Sequence, residues 1–295
     1  MKLAVFDDLK VGVVDGASLI DITPLLPAAL DLWPAGRMNW LIANWQEMRP
    51  TILEGLRHGT RRSVAEVTLL PPVPAAPHVF AAPSNYQKHI GELGDRGVTK
   101  KGRSAREQGF FLKAPGSLIG AGGAVLLPRG SERRFDHESE LAVIVGRAGR
   151  NIARADAMNY VFGYSCLIDA TMRIEAGAAE EERSMRKSFA TFTPCGPYLV
   201  TADEVENPEI LSNRLWVNDE LRQEANTRDM IVGIAELIEL VSSVLPISPG
   251  DIIATGTPEG VGPLAPGDTV RIAIEGVGDM TLPVREAEVR SPRAY

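Results

Sequence analysis

Two glutamates at the start of an apolar run constrain the fold more than any other segment of this chain. The run from Phe135 to Gly146 has the sequence FDHESELAVIVG. A strand turns alternate side chains to the same face, so Glu138 and Glu140 would lie about 7 Å apart on one side. Neighbouring carboxylates at the mouth of a buried strand repel each other, and a divalent cation with oxygen ligands offsets that repulsion. The same spacing also fits an edge strand whose acidic face is exposed to solvent. The metal site and the edge strand both stay open at this point.

Asp169 extends the acidic pattern. Residues 157–168 are mostly apolar and predict a helix end that runs into a buried strand, and Asp169 follows either as a cap of the next turn or as a third ligand. Three carboxylates favour Mg²⁺ or Mn²⁺ over Zn²⁺, which prefers His and Cys. The four His show no HxH or HxxxH spacing, and Cys166 and Cys195 are the only thiols. We therefore expect no conventional zinc site.

The first 70 residues predict a small separate unit. Residues 2–6 and 11–14 predict a hairpin, and residues 38–58 place apolar side chains at helical spacing. Pro50 is expected to break that stretch into two helices. Residues 71–77 contain four prolines and predict a stiff linker. We expect domains at residues 1–70 and 71–295.

Short apolar strands separated by Gly and Pro dominate the rest of the chain. One clear helix, residues 229–245, interrupts them, and turns are expected at Asn218-Asp219, 249–251 and 266–268. The glycines between 256 and 262 do not lead from a strand into a helix, so they indicate a loop and not a dinucleotide site. The pattern predicts an α+β fold that is mainly β.

The composition excludes several classes of protein. With 44% hydrophobic and 23% charged residues, the 295-residue chain can bury a sizeable core. A net charge of −7 and a pI near 5.3 argue against nucleic acid or a membrane surface as partner. No apolar run approaches the roughly 20 residues that span a bilayer. Acids interrupt the N-terminus too early for a signal peptide, and two distant cysteines fit a reducing, cytoplasmic location.

Four motifs, in their order and spacing, resemble the fumarylacetoacetate hydrolase family over roughly residues 75–290. They are FDHESELAVIVG (135–146), GYSCLIDATMR (163–173), KSFATFTPCGP (187–197) and ATGTPEGV (254–261). The resemblance implies a mixed β-sandwich roll, a small N-terminal α/β accessory domain and a homodimer. It also implies that Glu138, Glu140 and Asp169 bind Mg²⁺ or Mn²⁺, with Ca²⁺ able to replace them in a crystal.

The resemblance implies roles for further residues. The segment NYQKHIGE (85–92) resembles a family motif whose His–Glu pair, here His89 and Glu92, activates water as a general base. A routine surface pair is the alternative. Lys187 would contact a substrate oxygen or the attacking water, and Arg173 would pair with a substrate carboxylate. The residues expected to bind substrate are Tyr86, Arg173, Thr191 and Thr257.

The chain also departs from the family pattern. Ala190 stands where many bacterial members have Asp, and Ala176 where many have Gln, so substrate contacts are expected to differ. The polar segment 91–109 predicts either a solvated loop or a lid that orders over substrate. The charge-rich insert 177–186 is expected to form a loop near the site.

Together these features predict a divalent-metal-dependent hydrolase that cleaves the C–C bond of a small acylpyruvate or 2,4-dioxo acid in aromatic catabolism. A decarboxylase of an oxaloacetate-like acid, or a keto–enol isomerase of a dienoate, would use the same metal site. A metal-binding but catalytically weak ligand-binding protein is the third interpretation. The expected partner is a small 2-oxo acid.

Overall fold

Short strands make up most of the fold. The structure, a computed structural model, describes residues 1–95, 103–174 and 182–290. In chain order the strands are β1 (Lys2–Phe6), β2 (Lys10–Asp15), β3 (Ser18–Asp21), β4 (Arg61–Ser63), β5 (Leu69–Leu70), β6 (Val79–Ala81), β7 (Phe111–Lys113), β8 (Leu118–Ile119), β9 (Val125–Leu127), β10 (Phe135–His137), β11 (Ser139–Val145), β12 (Val161–Ile168), β13 (Thr171–Met172), β14 (Thr193–Thr201), β15 (Ser212–Val217), β16 (Glu220–Asn226), β17 (Ile252–Ala254), β18 (Gly262–Pro263), β19 (Thr269–Ile274) and β20 (Gly278–Glu286).

A few helices accompany the strands. They are α1 (Arg37–Ala43), α2 (Trp45–His58), α3 (Gln87–Asp95), α4 (Ala105–Gln108), α5 (Arg183–Arg186) and α6 (Ile234–Val244). A 3₁₀ segment, Arg154–Tyr160, runs directly into β12, which matches the predicted helix end before a buried strand. Among the described helices, none is both long enough and apolar enough to cross a membrane.

The described strands form three sheets. The largest has the order β4-β3-β2-β1-β14-β12-β11-β17-β6-β7, with β5 paired to β1 and β8 paired to β14. A second sheet has the order β16-β15-β19-β20-β9, and a short third sheet has the order β13-β10-β18. Most neighbours are antiparallel, whereas β6 on β17, β8 on β14 and β9 on β20 are parallel. The predicted α+β, mainly β fold is confirmed.

Apolar side chains cover both faces of the large sheet. On one face Met38 of α1 and Ile52 of α2 belong to the same core as Ile144 of β11. On the other face Val143 of β11 shares a core with residues of β15, β19, β20 and α6. Alternate residues of β11 therefore enter opposite cores, as a strand buried on both sides requires.

The N-terminal strands continue the large sheet. Lys2 and Leu3 of β1 pair with Val200 and Leu199 of β14. The predicted hairpin of β1 and β2 forms, and β3 follows its turn. The boundary predicted at residue 70 therefore crosses a continuous sheet and a shared core, and the division into two domains stays a prediction.

Two helix boundaries differ from the prediction. Pro50 lies inside α2, and the break between α1 and α2 falls at Asn44, whose side chain donates to the Trp40 carbonyl at 2.8 Å and competes with the helical ladder. The helix α6 begins at Ile234 and not at residue 229, because residues 227–229 form a separate 3₁₀ turn closed by its own capping box. The turn at Asn218-Asp219 is confirmed, with positive φ at both residues.

Antiparallel pairing of β11 with β12 positions the acidic residues. Ser139 lies opposite Ile168, so the next residues along each strand, Glu138 and Asp169, are neighbours. The Asp169 N–H donates to the Glu138 carbonyl at 2.8 Å. Every residue of β11 is buried, and each large aliphatic side chain contributes about 1.5–3 kcal/mol through that burial. The acidic end of β11 is therefore held by a tightly packed strand.

Candidate metal centre and active site

Three buried carboxylates meet at this end of the large sheet. One oxygen from each of Glu138, Glu140 and Asp169 lies within 4.8 Å of the others. Glu138 occupies the step between β10 and β11, Glu140 lies in β11, and Asp169 directly follows β12. The structure thus brings together the three residues that the sequence predicts as metal ligands.

Two lysines balance part of the negative charge. Lys187 Nζ donates to Glu138 Oε2 at 2.7 Å and to Asp169 Oδ2 at 2.5 Å. Lys113 is fully buried and donates to the other oxygen of Asp169. Glu140 differs, because the Gly256 N–H, at 2.7 Å, is its only hydrogen-bond donor among the described residues. Lysine side chains therefore contact Glu138 and Asp169 directly, whereas no described cation contacts Glu140.

Arg173 lies in the cluster, with its guanidinium engaged by protein carboxylates. Its Nε donates to Asp136 Oδ2 at 2.7 Å and its Nη2 donates to Glu138 Oε1 at 2.6 Å. The sequence instead predicts pairing with a substrate carboxylate. Asp136 is completely buried, and a buried carboxylate of this kind needs a cation. Arg173 also lines the pocket, and its contact with substrate stays a prediction.

The surroundings shift the pKa values of Glu138 and Glu140 in opposite directions. Burial opposes ionisation of Glu138, but Lys187 and Arg173 outweigh it and hold its pKa below the ordinary value. Burial raises the pKa of Glu140, and the charges of Asp169 and Glu138 raise it further. A divalent cation would supply the missing charge, and an all-oxygen donor set suits Mg²⁺ or Mn²⁺. The residues present therefore fit the predicted cofactor.

The predicted His–Glu pair lies beside the carboxylates. His89 Nδ1 is 3.3 Å from Glu92 Oε2, because residues three apart share a face of α3. The His89 imidazole is buried and lines the same pocket as the three carboxylates, Lys187 and Thr257. The structure thus brings the pair and the acidic cluster into one site.

The buried amide of Asn85 joins the segment before α3 to the loop that contains Gly256. Asn85 Nδ2 donates to the carbonyls of Val232 and Thr255 at 2.9 and 2.7 Å, and Asn85 Oδ1 accepts from the Val232 N–H. Gly256, with φ of +95°, approaches so closely that a Cβ there would lie 2.6 Å from Asn85. Only glycine tolerates this conformation and this approach. The result is that the Gly256 N–H reaches Glu140.

Thr257 presents its hydroxyl to the pocket. Gln223 Nε2 donates to Thr257 Oγ1 at 2.9 Å, which leaves the hydroxyl hydrogen available to a ligand. Gln223 Oε1 also accepts from the Ser139 N–H at 3.0 Å. One buried amide therefore connects the threonine loop to the strand that carries Glu140.

Other predicted positions do not line the pocket or lie outside the described residues, and their contact with substrate stays a prediction. Tyr86 is buried, and burial followed by the charge of Glu140 raises its pKa, but it does not line the pocket. Thr191 also lies elsewhere, and its hydroxyl accepts from the Leu126 N–H at 2.8 Å. Ala190 is exposed. Ala176, residues 177–181 of the insert and residues 96–102 of the predicted lid lie outside the described residues.

Three further residues of the site carry no recognisable motif. Lys113 ends the short strand β7, in which it is the only buried residue, and nothing in its local sequence indicates its acidic partner. The Phe111 ring centroid lies 5.3 Å from both Lys187 Nζ and the Arg183 guanidinium carbon. Arg183 lies in the part of the insert that forms the helix α5 and not the predicted loop. It lines the pocket, and the sequence predicts the insert near the site but no role for this residue.

The chain belongs to the fumarylacetoacetate hydrolase family. The family model described as "Fumarylacetoacetate (FAA) hydrolase C-terminal" matches residues 78–285. This range contains the three carboxylates, the His–Glu pair and Lys187. The resemblance that the four motifs predict is therefore confirmed.

Similar proteins indicate a narrower class. The maleylpyruvate hydrolase of Aquipseudomonas alcaligenes is 41% identical over 291 residues, which cover 97% of this chain and 99% of the relative. The crystal structure of maleylpyruvate hydrolase from Sphingobium sp. SYK-6, in complex with manganese(II) ion and pyruvate, has a TM-score of 0.86 at 41% identity and covers 98% of this chain and 100% of that chain. The 5-carboxymethyl-2-hydroxymuconate delta-isomerase from Mycobacterium smegmatis has a TM-score of 0.72 at 28% identity, with coverage of 98% and 100%.

These comparisons bear on two predictions. The predicted class, a hydrolase acting on carbon–carbon bonds in ketonic substances, is confirmed. The predicted divalent metal cofactor is also confirmed, through the manganese of the similar structure and the buried triad of this chain.

Proposed function

We propose that the protein hydrolyses maleylpyruvate to maleate and pyruvate, as a step of aromatic catabolism. The observation that carries the proposal is the buried carboxylate triad with His89, which faces Glu92, in the same pocket. The chain is also 41% identical, over nearly its full length, to a maleylpyruvate hydrolase. A pocket of this kind binds a 2-oxo acid at the cation and holds a general base beside it.

His89 is the general base of the proposed reaction. Its Nδ1 faces Glu92 Oε2 at 3.3 Å, which favours the tautomer with hydrogen on Nδ1. The lone pair of Nε2 is then available to accept a proton from water. Glu92 stabilises the imidazolium that forms, and the burial of His89 limits competition from bulk water.

Lys187 and Thr257 orient the substrate. Lys187 Nζ lies at the triad, where it donates to Glu138 and Asp169, and Thr257 opens its hydroxyl to the same pocket. The Thr257 hydroxyl can donate to a carboxylate or oxo oxygen of a 2-oxo acid. Lys187 also donates to Thr171 Oγ1 at 2.7 Å, and it would exchange that contact for one to the substrate. A divalent ion held by the triad would chelate the 2-oxo acid and offset the negative charge that builds on its oxygens.

The proposed reaction consumes one water. The water oxygen forms a bond to the carbonyl carbon of the acyl group, and His89 Nε2 takes its proton. The bond between that carbon and the neighbouring carbon of the pyruvate unit then breaks, and its electron pair stays with the pyruvate unit. The proton from His89 moves to the carbon of the pyruvate unit that carries this electron pair, so pyruvate and maleate leave and His89 is regenerated.

Turnover of maleylpyruvate, acetylpyruvate and oxaloacetate with Mn²⁺, Mg²⁺ and EDTA tests the proposal. We expect metal-dependent release of pyruvate from both acylpyruvates, with the higher kcat/KM for maleylpyruvate. Metal-dependent CO₂ from oxaloacetate alone would overturn the proposal in favour of a decarboxylase. Tight Mn²⁺ binding without turnover of any of the three compounds would favour the catalytically weak ligand-binding protein.

Keto–enol isomerisation is the second candidate, because a delta-isomerase shares the fold along 98% of this chain. Isomerisation moves a proton and needs no attack by water. Exchange of the acetylpyruvate methylene hydrogens with D₂O, followed by NMR, would therefore occur without cleavage in an isomerase. The higher identity to hydrolases favours cleavage.

The homodimer and the cytoplasmic location expected from the sequence stay predictions. Light scattering of the purified full chain measures the oligomeric state, and a monomer at micromolar concentration would contradict the homodimer.

A further inference from the structure

Arg183, one of the cations that line the pocket, forms no salt bridge within the described part of the chain. Lys113, Lys187 and Arg173 each contact a carboxylate of the cluster. Arg183 of α5 lines the same pocket, but its Nη2 donates to the neutral amide oxygen of Gln108 at 3.2 Å. A partly buried guanidinium that forms no salt bridge is available to an anionic ligand.

An aromatic ring relates Arg183 to the metal centre. The Arg183 guanidinium carbon and Lys187 Nζ both lie 5.3 Å from the centroid of the Phe111 ring. The two charges are therefore at most twice that distance apart. Because Lys187 contacts Glu138 and Asp169 directly, Arg183 is within reach of the far end of an extended acylpyruvate whose 2-oxo acid lies at the triad.

We propose that Arg183 binds a carboxylate at the far end of the acyl group and so selects acylpyruvates whose acyl group is itself an acid. This inference rests on the proposed function. The maleyl group ends in such a carboxylate, whereas the acetyl group does not. The planar guanidinium offers paired N–H donors to a carboxylate, while Phe111 holds the cation by a cation–π contact. Gln108 is a positioning residue that fixes another edge of the guanidinium.

The charges of the pocket agree with a substrate that carries two negative groups. Lys113 and Lys187 balance part of the triad, and a divalent ion would make the centre positive enough to hold the 2-oxo acid. Arg183 and Arg186, which both line the pocket, add further positive charge. A ligand with one carboxylate at the triad would leave Arg183 without a direct anionic contact, whereas a dicarboxylate places an anion at both positions.

The ratio of kcat/KM for maleylpyruvate to that for acetylpyruvate tests this role. We expect Arg183→Met to lower the ratio about 10- to 100-fold, mainly through the KM for maleylpyruvate, because a charge-assisted pair is lost. Arg183→Lys should keep part of the ratio, since it retains the charge but not the planar fork. Gln108→Leu should lower it less than Arg183→Met does, since it removes only the positioning contact.

Arg106→Met is the matched control. Arg106 lies in α4 with Gln108, but it pairs with Glu236 at 2.6 Å and does not line the pocket. Its loss should leave the ratio unchanged. If Arg183→Met lowers kcat/KM equally for both substrates, at an unchanged melting temperature, Arg183 does not bind the carboxylate of the acyl group. That result would overturn the proposal.

A binding measurement separates this inference from the proposed function. If the wild-type protein cleaves neither acylpyruvate, the proposed hydrolysis fails, and calorimetry of both compounds with Mn²⁺-loaded protein then tests Arg183. Weaker binding of maleylpyruvate alone in Arg183→Met, by the same factor, would support the inference. Equal binding of maleylpyruvate by wild type and variant would overturn it.

Discussion

Buried carboxylates occur in two regions that differ in what surrounds them. Before β17, Asp251 Oδ1 accepts from the His78 N–H at 2.8 Å and lies 3.0 Å from His78 Nδ1, while Oδ2 accepts from the Ser248 N–H at 2.7 Å. At the start of β11, Glu140 is equally buried but accepts only the Gly256 N–H among the described residues. Each region also has a His–carboxylate pair, since His78 faces Asp251 and His89 faces Glu92.

The comparison separates a structural carboxylate from a ligand-binding one. Burial raises the pKa of both Asp251 and Glu140, so desolvation alone does not distinguish them. Both oxygens of Asp251 have protein donors, and the contacts tie the start of β6 to the start of β17. Glu140 instead has like charges within 4.8 Å, an arrangement that is costly unless a cation binds. The number of hydrogen-bond donors and the distance to other carboxylates therefore distinguish Asp251 from Glu140.

The largest expected effect comes from removing one ligand charge. Glu140→Gln keeps the shape and the Gly256 contact, and we expect kcat/KM to fall by about 10³-fold or more, since a metal stabilises the transition state by several kcal/mol. Mn²⁺ at about 100 times its Kd should stabilise the wild type by about 2.7 kcal/mol and the variant by much less. Thermal melting with and without Mn²⁺ measures this.

Metal-free protein provides the control for that experiment. Without Mn²⁺, Glu140→Gln should be at least as stable as the wild type, because one like charge has left the cluster. If the variant is fully active, or if Mn²⁺ does not change the melting temperature of the wild type, Glu140 is not a metal ligand. It would then be a structural carboxylate like Asp251.

The second effect compares the two histidines. His89→Ala should lower kcat for maleylpyruvate by about 10²-fold, the loss expected for a general base. His78→Ala is the matched control, because His78 also faces a buried carboxylate but does not line the triad pocket, and its kcat should be unchanged. Steady-state assays at saturating Mn²⁺ measure both. Similar losses in the two variants would show that His89 acts through stability alone.

Local rules make much of the acidic site predictable from the sequence. Strand alternation places Glu138 and Glu140 on one face, and the apolar run before Asp169 indicates a strand that ends at that residue. Helical spacing likewise pairs His89 with Glu92. Each of these relations spans a few residues, and the family motifs supply their order along the chain.

Long-range contacts explain what the sequence does not predict. Lys113 and Asp169 are 56 residues apart, and nothing near either residue indicates the pair. Arg173 is engaged by Asp136 because β10 and β13 are neighbours in a sheet that no periodicity predicts. The pairing of β1 with β14 likewise joins segments on both sides of the predicted domain boundary.

The third effect concerns stability. Asp251→Ala leaves the N–H groups of His78 and Ser248 without their acceptor, and we expect unfolding to cost about 2–3 kcal/mol less. Activity per folded molecule should stay close to that of the wild type, because Asp251 lies outside the triad pocket. Urea unfolding and active-site titration measure the two quantities. A variant with normal stability but little activity would show that Asp251 takes part in function and is not a purely structural carboxylate.

The smallest effect tests whether Glu92 acts through His89. Glu92→Gln retains an oxygen that can accept from Nδ1, so the tautomer of His89 is kept, but the charge that stabilises the imidazolium is lost. We expect kcat to fall about 10-fold, as for other residues that orient a functional group. In the double variant with His89→Ala, the Glu92 change should add no further loss, because its partner is absent. Additive losses would mean that Glu92, like Asp251, stabilises the fold and does not act through His89. The kcat values of the wild type, the two single variants and the double variant decide between these outcomes.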